Sequence, residues 1–205
     1  MKQLYFARHG ESEANVLGVI SNRGSQHGLT DKGRRQAIEL ASGLKGSGAT
    51  RICASPLLRA RQTAEALASV LGLDYEVTDA LREFDCGIAE GRSDPASWEL
   101  HRRVMEDWLQ HGQLGARIEG GESYYDIRER FVPFIESLLD GMGEADASIL
   151  VGHGGLYHCM LPQILANVHY AAARPFPNAA YVLAEARSEG LVCVEWCGTP
   201  VMQSR

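Results

Sequence analysis

Ser148-Ile149-Leu150-Val151-Gly152-His153-Gly154-Gly155 decides the fold. A short apolar run reads as a buried strand, a glycine-rich stop follows, and a helical pattern continues to about Leu165. Leu4-Tyr5-Phe6-Ala7 repeats the first half of this unit and ends at Arg8-His9-Gly10. Between them, Thr30 caps an expected helix over about 31–45, with Ala37, Leu40, Ala41 and Leu44 on one face. Arg51-Ile52-Cys53-Ala54 reads as a strand ended by Ser55-Pro56, and Pro56 suits the first turn of the next helix. That helix runs to about Leu71 and stops at Gly72. Tyr75-Glu76-Val77 reads as a weak strand.

The stretch from about 84 to 121 is the least regular, with a helical segment near 96–110. Ile127, Phe131, Ile135 and Leu138 predict a helix over about 123–140, although Pro133 should kink or end it. Ala180-Tyr181-Val182-Leu183 and Leu191 to Trp196 form an expected hairpin through Gly190. This alternation implies an α/β fold, a three-layer α/β/α sandwich around a mostly parallel sheet. The 205 residues suit one domain, with a small cap insertion over about 84–121.

The hydrophobic share of 45% and charged share of 22% exclude global disorder and fibrous classes. A net charge of −6 argues against nucleic acid or an anionic membrane surface as partner. The five cysteines, Cys53, Cys86, Cys159, Cys193 and Cys197, are odd in number and contain no CxxC pair, so free thiols in a reducing cytosol are expected. Met1 to Arg8 has too short an apolar stretch for a secretory signal, and no run is long enough to span a membrane. The expected location is cytoplasmic. The closing hairpin leaves an edge that allows a homodimer as well as a monomer.

In parallel sheets ligands bind beyond the carboxyl ends of strands. Arg8 and His9, Arg59, Glu83 and His153 each follow a strand. Each alone also reads as a solvated turn or surface charge; together they form a site for a phosphoryl dianion. Arginine forks bind phosphate oxygens. A neutral imidazole is a nucleophile at phosphorus, and a second histidine, if protonated, donates to a non-bridging oxygen. A carboxyl group held protonated gives a proton to the departing alcohol and takes one from water; Glu83 needs burial or anionic neighbours for this. No metal ligand set or other cofactor is called for.

Arg8-His9-Gly10-Glu11-Ser12 with Asn15 resembles the signature of the histidine phosphatase superfamily, the phosphoglycerate mutase-like proteins. Leu29-Thr30-Asp31-Lys32-Gly33-Arg34-Arg35-Gln36-Ala37 is similar to its first-helix motif. Ser55-Pro56-Leu57-Leu58-Arg59-Ala60-Arg61-Gln62-Thr63-Ala64 is similar to its second-arginine motif. Leu81-Arg82-Glu83 with Gly87 and Glu90-Gly91 resembles its acid loop. Gly120-Gly121-Glu122-Ser123 and Gly152-His153-Gly154-Gly155 resemble the segments that follow. The resemblance implies His9 as phosphorylated nucleophile, Arg8, Arg59 and His153 as phosphate pocket, and Glu83 as acid and base. It also implies secondary contacts from Asn15 and Gly154, with Ser21 and Asn22 facing substrate.

Glu90-Gly91-Arg92-Ser93-Asp94-Pro95 stands where the glycolytic mutases carry Glu-Arg-His-Tyr-Gly, and the cap is shorter. This favours a metal-independent phosphatase acting on a small phosphorylated metabolite. The alternatives are a phosphoglycerate-type mutase and a non-catalytic phosphate-binding module. His27, Arg23 and Arg34 either extend the anion pocket or are solvated charges. Asp85 and Glu90 are alternative acids. His101 and His111 read as exposed cap residues, and His158 as a satisfied helix histidine. Trp98 and Trp108 either pack inside the cap or form an apolar lid.

Overall fold

The computed structural model describes residues 1–24, 26–168 and 174–201; Ser25, in the loop from 16 to 28, lies outside the described residues. In chain order the elements are β1 (Gln3–Arg8), α1 (Glu13–Leu17), α2 (Asp31–Gly43), β2 (Ala49–Ala54), α3 (Leu58–Leu71) and β3 (Tyr75–Val77). They continue with α4 (Pro95–Leu109), α5 (Tyr124–Gly141), β4 (Ala147–Gly152), α6 (Gly154–Ile164), β5 (Tyr181–Arg187), β6 (Gly190–Trp196) and β7 (Thr199–Pro200). The strands form one sheet in the order β3-β2-β4-β1-β5-β6-β7. The first four of these are parallel to one another, whereas β5, β6 and β7 are antiparallel. The sheet is therefore mixed, with its parallel part at the core.

Alternation along the strands explains the layers. Tyr5 and Ala7, Ile52 and Ala54, and Ile149 and Val151 pack with Leu40, Ala41, Ala60, Ala64 and Leu67 of α2 and α3. The intervening Leu4 and Phe6, Cys53 and Leu150 pack on the other face with Ile127, Phe131, Leu156 and Tyr157 of α5 and α6. All six residues of β4 are buried, because helices cover both faces there. The five cysteines are free.

Thr30 caps α2 by accepting from the Gly33 amide, and Gly72 ends α3 in the left-handed region at φ 69°. Pro56 stands outside α3, contrary to its expected place in the first turn. The Leu57 amide turns back to Ser55 Oγ at 3.3 Å, so Leu57 becomes the N-cap and the helix starts one residue later. Pro133 does not end α5, which runs through it. The buried face of Ile127, Phe131, Ile135 and Leu138 outweighs the lost backbone bond, which costs about 3 kcal/mol. Gly33 has a packing role: a Cβ there would lie 1.9 Å from the Glu11 carbonyl oxygen. Only glycine lets α2 press against the loop that leaves β1.

Candidate active site

Strand register sets the site. Arg8 pairs with Gly152, and Ala54 with Val151, so β1, β2 and β4 end level with one another. The residues that follow, His9, Ser55 and His153, therefore become neighbours. The His9 amide donates to Gly152 O at 3.1 Å and the Ser55 amide to Val151 O at 2.9 Å. The His9 and His153 rings lie 5.1 Å apart, and both are buried.

Hydrogen bonding fixes the His9 tautomer. Its Nδ1 is 2.7 Å from Gly10 O, and a carbonyl only accepts, so Nδ1 carries the proton. Nε2 is left with its lone pair, which accepts from Arg59 Nε at 3.1 Å. Burial, then the Arg59 and Arg8 charges, hold His9 well below the ordinary histidine pKa. Arg59 is buried on the first turn of α3. Its Nη1 donates to Ser21 O at 2.7 Å and its Nη2 to Asn22 Oδ1 at 3.4 Å. Burial lowers its pKa to about 10, which leaves it charged at neutral pH.

Arg8 donates through Nη1 to Phe176 O at 2.6 Å, while its buried Nε has no partner. His153 accepts from or donates to Ser55 Oγ through Nε2 at 2.7 Å, and its buried Nδ1 has no partner. Two orphaned polar atoms at one site each cost about 1–3 kcal/mol. An anion that accepts hydrogen bonds would remove much of that cost. Burial, then Arg59, hold His153 neutral as well, so a protonated donor at this position is not the resting state.

Glu83 sits at the N-terminus of α6, accepting from the amides of Gly155 at 2.9 Å and Leu156 at 2.6 Å. Burial raises its pKa, against the three backbone amides that stabilise its charge. Gly155 is required here by space: a Cβ would lie 2.8 Å from the Phe84 ring and 2.9 Å from Glu83 Oε1.

These groups open on a cleft of about 280 Å³. Arg8, His9, Arg59, Glu83, Asn15, Ser21, Asn22 and Gly154 all line it; His153, fully buried beside His9, is not part of the lining. Asn15 also caps α1 by accepting from the Ser12 amide. Arg23 is instead ion-paired with Asp85, Arg34 lies beside Asp31, and His27 bonds Ser21 Oγ. Asp85 and Glu90 are taken up by structure: Asp85 accepts from the Gly87 amide, Glu90 from those of Asn22 and Cys86. Among the described residues no three His, Cys, Asp or Glu side chains are grouped as a metal ligand set.

His101 corrects its expected exposure. It lines the cleft with Trp98 and Met105, and burial pushes its pKa down to about 4. The i, i+3, i+7 spacing of 98, 101 and 105 on one face of α4 was the available signal. Trp108 packs inside, donating to Ala116 O. His158 bonds Arg174 O as a satisfied histidine does, yet also lines the cleft. Sequence reasoning missed the segment before β5: the Ala179 amide and Asn178 Nδ2 both donate to His9 O at 3.1 Å.

Comparisons with known proteins bear on the family and the fold. The profile described as histidine phosphatase superfamily (branch 1) matches residues 4–199. A probable phosphoglycerate mutase GpmB from Cronobacter sakazakii is 36% identical, over 85% of this chain and 80% of that protein. Its counterpart from Shigella boydii is 34% identical over the same shares. Among solved structures, a mycobacterial glucosyl-3-phosphoglycerate phosphatase in complex with VO3 superimposes with a TM-score of 0.83 at 26% identity, over 96% of this chain and 99% of that one. No described helix is long and apolar enough to cross a membrane.

Proposed function

Because the chain belongs to the histidine phosphatase superfamily (branch 1), we propose that it hydrolyses phosphomonoesters of small metabolites through a phosphohistidine on His9. The observation that carries this reading is the His9 tautomer. Its Nε2 lone pair stands free of a proton and beside a buried arginine fork.

In the first step Nε2 attacks phosphorus and the bond to the ester oxygen breaks. Glu83, protonated, gives its proton to the departing alkoxide. Arg8 and Arg59 hold the non-bridging oxygens as charge develops. The dianion raises the proton affinity of His153, which then donates to it. In the second step Glu83 takes a proton from water, the oxygen attacks phosphorus, and the P–N bond breaks. Inorganic phosphate leaves, His9 is neutral again, and Glu83 is protonated. All of this is supplied by side chains, so no metal or other cofactor enters. The segment 84–121 serves as the cap that shapes the alcohol side.

The mutase reading shares these groups and takes support from the names of the GpmB relatives. The hydrolase reading is supported by the cleft wall from α4, where Trp98, His101 and Met105 offer no cation to hold a carboxylated acceptor. The test is phosphate release from a panel of phosphorylated metabolites in the presence of EDTA, beside His9→Ala. Release that survives EDTA and vanishes in His9→Ala is expected. Isomerised ester without phosphate would favour the mutase, and turnover retained by His9→Ala would sink both.

A further inference from the structure

Beyond the phosphate end, the cleft changes character. Trp98, His101 and Met105 come from one face of α4, and Val19 and Ile20 complete the apolar part. The His101 ring centroid is 5.2 Å from those of both Phe84 and Trp98. This wall is fixed in advance. Trp98 Nε1 donates to Gly18 O at 2.7 Å, and Ile20 exchanges backbone bonds with Gly91 and Arg92 at 2.8 and 2.9 Å.

The cations are distributed unevenly. Arg8 and Arg59 line the phosphate end. Of the nearby arginines, Arg23 is paired with Asp85, Arg92 with Asp94 and Arg102 with Glu99, while Arg103 is exposed on α4 and does not line the cleft.

We propose that this wall selects phosphomonoesters whose alcohol is uncharged and presents an apolar ring, and disfavours esters with a second anionic group. The inference rests on the hydrolase reading above and names its substrate class. An aromatic or other flat apolar group stacks on Trp98 and His101 and gives up little hydration in doing so. A carboxylate in the same place loses water against Trp98 and Met105 and finds no cation. His101 supplies none, because burial keeps its ring uncharged.

The test compares phosphate release from benzyl phosphate and 3-phosphoglycerate, two alkyl esters with leaving alcohols of comparable basicity. Wild-type kcat/KM is expected to favour benzyl phosphate by about tenfold or more. Trp98→Ala should collapse that ratio. Met105→Lys places a cation on the wall without touching the Trp98 hydrogen bond. It should raise kcat/KM for 3-phosphoglycerate and lower it for benzyl phosphate, which keeps the test alive if Trp98→Ala does not fold. Phosphate release that is equal or faster from 3-phosphoglycerate overturns the selectivity and leaves the hydrolase standing. Release from neither ester, with or without isomerised product, overturns both.

Discussion

Arg59 Nε donates to His9 Nε2 at 3.1 Å, so the guanidinium occupies the lone pair that the proposed reaction uses. An incoming phosphoryl group must draw this hydrogen bond onto its own oxygens. Arg59 thus does two things in turn: it orients the imidazole before binding and neutralises charge afterwards.

Arg59→Lys keeps a charge but loses the fork that bonds His9, Ser21 and Asn22 together. Steady-state kinetics should show kcat/KM down by about 10²–10³-fold, the usual loss for one electrostatic donor. A lysine variant within about threefold of wild type, a difference of about 0.7 kcal/mol, would rule out the fork as the relevant feature.

The pH profile follows from two shifts. His9 is held well below the usual histidine value, so its lone pair stays available as pH falls below the ordinary 6.5. Glu83 is raised, so it holds its proton to higher pH than an ordinary carboxyl and loses it as pH rises through its own pKa. For an alkyl phosphate, kcat/KM should therefore fall on the alkaline side of the Glu83 transition. Glu83→Gln should cost about 10²–10⁴-fold on that substrate. The loss should be smaller for p-nitrophenyl phosphate, whose leaving group needs no proton; equal losses would remove the acid role.

Gly155→Ala should separate geometry from binding. The added Cβ would press on Glu83 and Phe84 at 2.8–3.0 Å while leaving Arg8 and Arg59 in place. We expect kcat to drop by about tenfold or more with KM changed little, since misplacement of about 1 Å can cost 10²-fold. A variant with unchanged kcat would show that the carboxyl position is not critical.

His101 links the cleft to stability. Its folded pKa of about 4 lies below the ordinary 6.5, so the unfolded chain binds the extra proton between those values. Stability from this residue is complete above pH 6.5 and is lost as pH falls toward 4, by on the order of 3 kcal/mol. Thermal melts of His101→Phe should show a flatter decline over that range than wild type. Parallel curves would mean that the acid sensitivity resides in His9, His153 and His158, which are depressed as well.

How much was legible depended on range. The caps at Thr30 and Gly72, the strand at β4 and the helical face of α5 are signalled by neighbours within a turn or two, and the structure has them. The failures came where distant contacts outweighed local preference. Pro133 stays helical because four large side chains on its helix are buried, and Pro56 is displaced by a turn at Ser55, which Val151 O and His153 Nε2 hold from across the sheet. His101 read as a surface residue because helical spacing does not say whether a face looks onto water, core or cleft.

The sequence by itself determined the alternation that makes an α/β sandwich and the set of charged and titratable residues at strand ends. Both are local: periodicity is written residue by residue, and the stops, Gly10 after β1, Ser55-Pro56 after β2 and Gly154 after β4, lie within two residues of the strand ends. The tertiary structure decided what those residues became. Register between β1, β2 and β4 brought His9, Ser55 and His153 level, and α6 supplied the amides that hold Glu83. The segment before β5 reached back across 168 positions so that Phe176 O could hold Arg8. Such bonds depend on where two distant stretches of backbone end up. A carbonyl has no residue type, so nothing in the sequence marks it as a partner.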